Sequence, residues 1–272
     1  MAFSGEQLER YSRHFVLPEI GVSGQKRLLQ AKILVIGAGA LGSASLMYLA
    51  AAGVGTIGIA DYDNIELSNL QRQIIHRTDR VGTSKAESAK KTITAVNPDV
   101  HVNLYPVKLT ADNIQDTISQ YDFIIDGTDR FESKFLINDA CVLSRKPYSH
   151  AGVVRFGGQS MTYVPDKGPC LRCLLGSVPP ASETMTCSQA GVLGAAAGIL
   201  GNIQALEAVK YLLGAGNLLT GRILSFDGLK MNFHITKIPD SSPCCSVCGK
   251  NPSILNLADN KAEYEDISGC KA

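Results

Sequence analysis

The sequence predicts an α/β protein: a doubly wound, mostly parallel sheet continued by antiparallel strands, with a structural four-cysteine zinc site. Three observations carry that expectation. An apolar, β-branched run, Lys32–Ile36, leads at once into Gly37-Ala38-Gly39-Ala40-Leu41-Gly42 and then a helical stretch. Strand-like and helix-like segments alternate from residue 32 to residue 150, and glycine-turned hairpins come after Gly152. Two Cys-x-x-Cys pairs, Cys170/Cys173 and Cys245/Cys248, are flanked by turn residues.

Taken in order, residues 4–14 carry charges at helical spacing and predict a short surface helix, and residues 23–30 a second. The run 32–36 has the length and continuity of a fully buried parallel strand. After the glycine turn and its helix, residues 55–60 read as the next strand, ending in Asp61. Strand, turn, helix, strand and acid make a βαβ unit. A helix is expected over 85–96, strands at 100–107 and 122–126 around a helix near 112–120, a helix over 131–144 and a strand at 147–150. Residues 153–164 predict a hairpin, as do 222–226 and 231–235 around Asp227-Gly228. Both are expected to extend the same sheet. Between them lie a Pro/Ser/Thr-rich stretch, 176–188, and a close-packed helix over 191–213. Residues 249–272 read as a loosely held tail.

Composition narrows the function classes. Hydrophobic residues make up 45% of the 272-residue chain and charged residues 19%, which suits a packed core and not disorder. Twenty-six basic against 25 acidic residues leave a net charge of +1, which argues against a broad nucleic-acid or membrane surface. The opening residues have no apolar leader core, and the apolar stretch 190–201 is far short of the ~20 residues a spanning helix needs. A cytoplasmic location is therefore expected, where clustered cysteines more often bind metal or react than form bridges.

The glycine turn carries the first chemistry. Its glycines allow a tight turn and let backbone N–H groups approach phosphates at a helix N-terminus, and Asp61 stands where an acid accepts from ribose hydroxyls. A dinucleotide for hydride transfer is the default for such a Rossmann-like unit. The residues beyond Asp61 point elsewhere. Asn69, Arg72 and Gln73 lie just past the strand end, Lys85 opens the next helix, and the strand at 122–126 runs into Asp126-Gly-Thr-Asp129. Two cations beside a phosphate loop, with a carboxylate, suit ATP and Mg²⁺ better than the pyrophosphate bridge of NAD.

The 8 cysteines divide unevenly. Cys170, Cys173, Cys245 and Cys248 supply the four thiolates of a closed zinc site. The 71 residues between the pairs make the metal a staple of distant segments and not a finger. A redox dithiol is the rival reading, and Cys244 competes with Cys245 as ligand. Cys141 is expected in the core. Cys187 lies in a polar loop before a helix and is either a reactive thiol or an incidental one.

GAGALG, the DYDNIELSNLQRQ block, Lys85, the DGTDR turn, GPCLRC, TCSQAGVLG and the final CSVCG together resemble the E1-like MoeB/ThiF/HesA adenylyltransferases, over residues from about 8 to 249. The resemblance implies an adenylating domain over 1–249 with a tail over 250–272. It also implies ATP-dependent adenylation of the C-terminal glycine of a small ubiquitin-like sulfur carrier of the ThiS/MoaD type, a homodimer and a structural zinc. It implies that Gly37, Gly39, Ala40, Gly42, Asp61, Asp63, Ser68, Asn69, Arg72, Gln73, Lys85, Asp129 and Arg130 bind the nucleotide. Asp61 would hold the ribose, Asn69, Arg72 and Lys85 the phosphates, and Asp129 the Mg²⁺. Arg13 matches an arginine that reaches into the partner subunit's site, and Cys187 a crossover-loop cysteine with a member-dependent role. Ala40 and Arg130 depart from residues common in the family. The tail resembles the linker before a rhodanese domain in longer relatives, so a separate sulfurtransferase or cysteine desulfurase is expected to deliver sulfur. The competing classes are an NAD(P)-dependent oxidoreductase and a nucleotide-binding scaffold without turnover. None of the five histidines has a compelling partner in sequence.

Overall fold

The computed structural model describes residues 2–180 and 190–265. Its sheet has eight strands: β1 (Lys32–Ile36), β2 (Thr56–Ala60), β3 (His101–Tyr105), β4 (Phe123–Asp126), β5 (Tyr148–Val154), β6 (Gly157–Tyr163), β7 (Arg222–Asp227) and β8 (Asn232–Lys237). Their order is β3-β2-β1-β4-β5-β6-β7-β8. The first five pair parallel, and β5 to β8 pair antiparallel in the same sheet. The doubly wound sheet with an antiparallel extension is therefore present as expected.

Alternation along β1 builds the layers. Ile33 and Val35 face one side with Ile57, Ile59, Phe123 and Ile125, and are covered by helices α4 (Ala40–Ala51), α5 (Lys85–Val96) and α9 (Gly194–Leu213). Leu34, Ile36 and Ile124 face the other side, under α6 (Ile114–Ser119), α7 (Phe131–Leu143) and α8 (Leu171–Leu175). Short helices Gly5–Arg10, Ser12–Phe15 and Gly21–Gln30, α1 to α3, precede the sheet. Cys141 is fully buried, as expected. The 194–213 helix starts later than expected because Gly191 takes a positive φ of 77° and a parallel bridge joins Val192 to Arg155. No helix among the described residues is long and apolar enough to cross a membrane.

Residues 250–265 correct the expectation of a loose tail. Ile254, Leu257 and Tyr264 are buried in the core beneath the sheet, against α7 and α8. The Tyr264 hydroxyl donates to Asp139 Oδ2 at 2.6 Å, and Glu263 accepts from Arg172 at 2.8 and 3.1 Å.

Candidate functional site

The strand order reverses between β1 and β4, so the connections leaving their carboxyl ends diverge and leave a crevice. A cavity of about 1540 Å³ lies there. Gly37 leaves β1 with φ +92°, and a Cβ on it would come within 2.9 Å of the Gly127 carbonyl oxygen. At Gly42 a Cβ would lie 1.9 Å from the Gly37 oxygen. Only glycine lets the loop fold back onto the start of α4. That helix begins at Ala40 with no side-chain cap, so its first amides and positive dipole end remain available to an anion. A Cβ on Gly39 would meet only Gln73 Nε2, at 3.8 Å, which leaves room above the loop.

Charged groups surround this cradle. Asp61 is buried and accepts the Ala38 and Asp63 amides at 2.8 and 2.9 Å. Burial pushes its carboxyl above the usual range, opposed by the Lys85 cation and these amides. The Lys85 ammonium, itself buried, donates to Asp63 Oδ2 at 2.9 Å. Arg72 is held by a bond from Nη1 to the Ser68 carbonyl at 3.0 Å. Gln73 Oε1 is buried and has no protein partner. Arg72, Gln73, Lys85, Asp129 and Arg130 all line the cavity, with Gly37, Gly39, Ala40, Asp61 and Asp63. Two cations and a loop of accessible amides suit a polyphosphate, the orphaned Gln73 oxygen suits a hydroxyl or amino donor of a nucleotide, and the exposed Asp129 carboxylate is a hard oxygen ligand of the kind Mg²⁺ takes.

The second constellation joins the start of α8 to the segment after β8. The Sγ atoms of Cys170, Cys173, Cys245 and Cys248 all lie within 4.8 Å of one another. Cys170 is 3.9 Å from Cys173 and 3.6 Å from Cys245, and Cys173 is 3.3 Å from Cys248. A tetrahedral zinc–thiolate site, with bonds of about 2.3 Å, has sulfur–sulfur edges of about 3.8 Å. The donor set and its spacing fit zinc. Cys245, not the exposed Cys244, joins the cluster.

A model of the ThiF family matches residues 11–247. The chain belongs to the ThiF family. This ThiF-family chain is 44% identical over 276 residues to the probable adenylyltransferase/sulfurtransferase MoeZ of Mycobacterium tuberculosis, covering 100% of the chain and 67% of that protein. It is 41% identical over 269 residues to the adenylyltransferase and sulfurtransferase MOCS3 of Aedes aegypti, covering 99% of the chain and 61% of MOCS3. A sulfur carrier protein adenylyltransferase of Thermus thermophilus is 40% identical over 267 residues, covering 96% of the chain and 98% of that protein. The chain thus spans about three fifths of the MOCS3 relatives but nearly the whole length of the Thermus protein. Among solved structures, E. coli MccB with ATP superposes with a TM-score of 0.73 at 25% identity, covering 88% of this chain and 73% of MccB.

Ten of the nucleotide residues expected in this ThiF-family chain line one cavity, while Gly42, Ser68 and Asn69 do not. Gly42 acts through loop closure. Ser68 and Asn69 belong to a single 3₁₀ turn, 67–69, in which Asn69 Oδ1 accepts the Glu66 amide at 3.1 Å. Arg13 is exposed on α2 and does not line its own chain's cavity. Cys187 lies outside the described residues, as does Cys270.

Sequence reasoning missed two histidines, and its view that none has a compelling partner is corrected. His76 is buried, with Nε2 3.0 Å from the Ala38 carbonyl and Nδ1 3.1 Å from Ser88 Oγ, so it braces the glycine loop against α5. His150 Nδ1 lies 2.9 Å from Asp126 Oδ2. Asp126 is fully buried and also accepts from Lys134 Nζ at 3.1 Å and from the Thr128 hydroxyl and amide at 2.6 and 3.0 Å. Burial alone would raise its carboxyl, but the Lys134 cation and these donors hold it well below the usual carboxylate range.

Proposed function

We propose that this protein is a nucleotidyltransferase that adenylates the C-terminal glycine of a small ubiquitin-like sulfur carrier of the ThiS/MoaD type, using ATP and releasing pyrophosphate. The observation that carries this reading is the convergence of the glycine cradle, Asp61, Arg72, Lys85 and Asp129 on one cavity at the sheet's switch point. The names borne by its relatives, sulfur carrier protein adenylyltransferase among them, support the same chemistry. The cations past β2 have no role at an NAD pyrophosphate, which disfavours an oxidoreductase.

The reaction asks little of the protein in proton transfer. A terminal carboxylate has a pKa of ~3.3–3.7 and is already a nucleophile at neutral pH. One of its oxygens bonds to the α-phosphorus, the bond from that phosphorus to the β-bridging oxygen breaks, and pyrophosphate leaves. The demand is charge neutralisation and in-line placement. In this reading Asp61 takes the ribose. Asn69, Arg72 and Lys85 meet the phosphates, with Gly37, Gly39, Ala40, Gly42, Asp63, Ser68, Gln73 and Arg130 completing the nucleotide contacts. Asp129 holds Mg²⁺, which neutralises phosphate charge when bound. Zinc on Cys170, Cys173, Cys245 and Cys248 closes the fold.

We further propose a homodimer in which Arg13 enters the partner's site. Its surroundings support an interface: Leu8, Val16, Leu17 and Val22 expose 45–72% of their surface around it. Sulfur then comes from a sulfurtransferase or cysteine desulfurase, with Cys187 as a candidate thiol, in the cytoplasm where thiols stay reduced. ATP–pyrophosphate exchange that depends on an added Gly-Gly-terminated carrier tests the central claim. Intact ATP binding without exchange for every carrier of this class would refute it.

A further inference from the structure

One face of the antiparallel extension forms a floor for the cavity. His150 and Gly152 lie on the same face of β5, and their cross-strand partners on β6 are Met161 and Gln159. Gln159 in turn pairs with Ser225 on β7. All five line the cavity. A Cβ on Gly152 would meet nothing within 4 Å, so this floor leaves room for a chain lying along it. The cavity's ~1540 Å³ exceeds the roughly 300–1,000 Å³ of a single small-molecule pocket. His150 stands where this floor meets the turn after β4, two strands from the glycine loop of β1.

The tautomer of His150 is set by its neighbours. Asp126 beside the Lys134 ammonium is an ionised carboxylate and can only accept, so His150 Nδ1 carries the hydrogen that joins them. Lys134 Nζ also donates to the Ala151 carbonyl at 2.7 Å, which fixes the cation behind the ring. Burial and that cation push the imidazole's pKa down, so the ring is neutral and Nε2 is a bare acceptor. Nε2 has no protein partner among the described residues. A ring reluctant to hold a second proton is a poor general base but a sound hydrogen-bond acceptor.

We propose that His150 Nε2 accepts the backbone N–H of the carrier's terminal glycine and so holds the carrier's tail on this floor. This rests on the adenylation reading above. A tail of glycines has no side chains, so the enzyme can read only its amides and carbonyls, and a bare imidazole nitrogen reads an amide N–H.

The test compares wild type with His150→Asn, whose amide keeps a donor for Asp126 but lacks the Nε2 acceptor, in pyrophosphate exchange driven by a Gly-Gly-terminated ThiS- or MoaD-type carrier. The expected result is a KM for carrier raised about tenfold, with kcat and the KM for ATP unchanged. His150→Gln, whose side-chain oxygen can approach the Nε2 position, should recover part of the loss. The decisive arm uses a semisynthetic carrier whose terminal glycine is replaced by glycolic acid, exchanging the N–H for an ester oxygen. Wild type should lose about tenfold in carrier KM and His150→Asn nothing further. An unchanged carrier KM in His150→Asn, or an equal ester penalty in both enzymes, overturns the assignment, as does a loss of ATP affinity in the variant. Wild type that supports no exchange with any such carrier refutes the adenylation reading instead.

Discussion

Arg172, between two of the clustered cysteines, makes a two-point contact with the fully buried carboxylate of Asp139: Nε to Oδ1 at 2.8 Å and Nη2 to Oδ2 at 2.7 Å. Its guanidinium also lies 4.9 Å from the Phe135 ring centroid. The Cys170–Cys173 knuckle, α7 and the C-terminal segment therefore share one ion cluster, which Glu263 and Tyr264 complete. Removing one partner of a buried pair costs about 3–5 kcal/mol, because the other charge is left uncompensated. Arg172→Ala should lower the melting temperature by roughly 6–20 °C in a chain of this size. A fall of less than ~2 °C by calorimetry would mean the cluster is not structural.

The C-terminal segment should show its attachment through pH. Burial raises the Glu263 carboxyl, but Arg172, the Val178 amide and Asn260 outweigh it and hold the pKa below 4.5. A depressed carboxylate contributes stability that is present above its unfolded pKa and lost as pH falls through the folded one. Wild type should thus exceed Glu263→Gln in stability at pH 7, and the gap should close on acidification below about pH 4.5. Urea midpoints measured from pH 7 to pH 3 check this, and a gap that widens on acidification would contradict it.

His76 gives the opposite group type with a testable slope. Burial lowers its pKa from 6.5 to about 4, against the pull of its bond to the Ala38 carbonyl. Between these values the unfolded chain binds more protons than the folded one, so stability falls as pH drops from 6.5 to about 4. His76→Gln can keep a donor for Ala38 and does not titrate. Its stability should decline less steeply over that window, with ATP affinity retained. A slope equal to wild type would place the titrating group elsewhere.

How much of this was legible in the sequence depends on the range of the interactions. β1, β2 and β4 announce themselves because strands buried on both faces are continuous apolar runs. The glycine loop, Asp61, Lys85 and the cysteine pairs are readable because local spacing carries their chemistry. Asp126, Lys134 and His150 form a cluster only after two strands and a helix bring them together, so no local pattern marks them. The segment 250–265 reads as loose because its anchors, Ile254, Leu257 and Tyr264, are spread over bends and single turns and not one regular element, and are satisfied by partners more than a hundred residues away, such as Asp139. Helix α8 spans only five residues between Cys170 and Gly176, with Cys173 inside it, too short for a period to register.

Asp129 separates metal-dependent turnover from nucleotide binding. It is exposed in the cavity and accepts no structural burden comparable to that of Asp126. Asp129→Ala should leave the fold and melting temperature near wild type, bind ATP, and lose at least about 10²-fold in pyrophosphate exchange. Exchange within a few-fold of wild type would remove Asp129 from the proposed Mg²⁺ site.

The cysteine cluster makes a prediction that two adjacent residues can settle. Cys245 is buried with its Sγ 3.6 Å from Cys170, whereas Cys244 is exposed and outside the cluster. Purified protein should contain about one zinc per chain. Cys244→Ser should keep that content, and Cys245→Ser should lose it, because a closed structural site needs all four thiolates. Loss of metal should also cost stability, since the two knuckles anchor segments far apart in the chain and binding energy appears as folding energy. A chelator should reproduce the melting shift of Cys245→Ser in wild type and leave that variant unchanged. Metal content that survives Cys245→Ser but not Cys244→Ser would assign the fourth ligand to the wrong cysteine, and metal-free wild type of undiminished stability would refute the zinc site altogether.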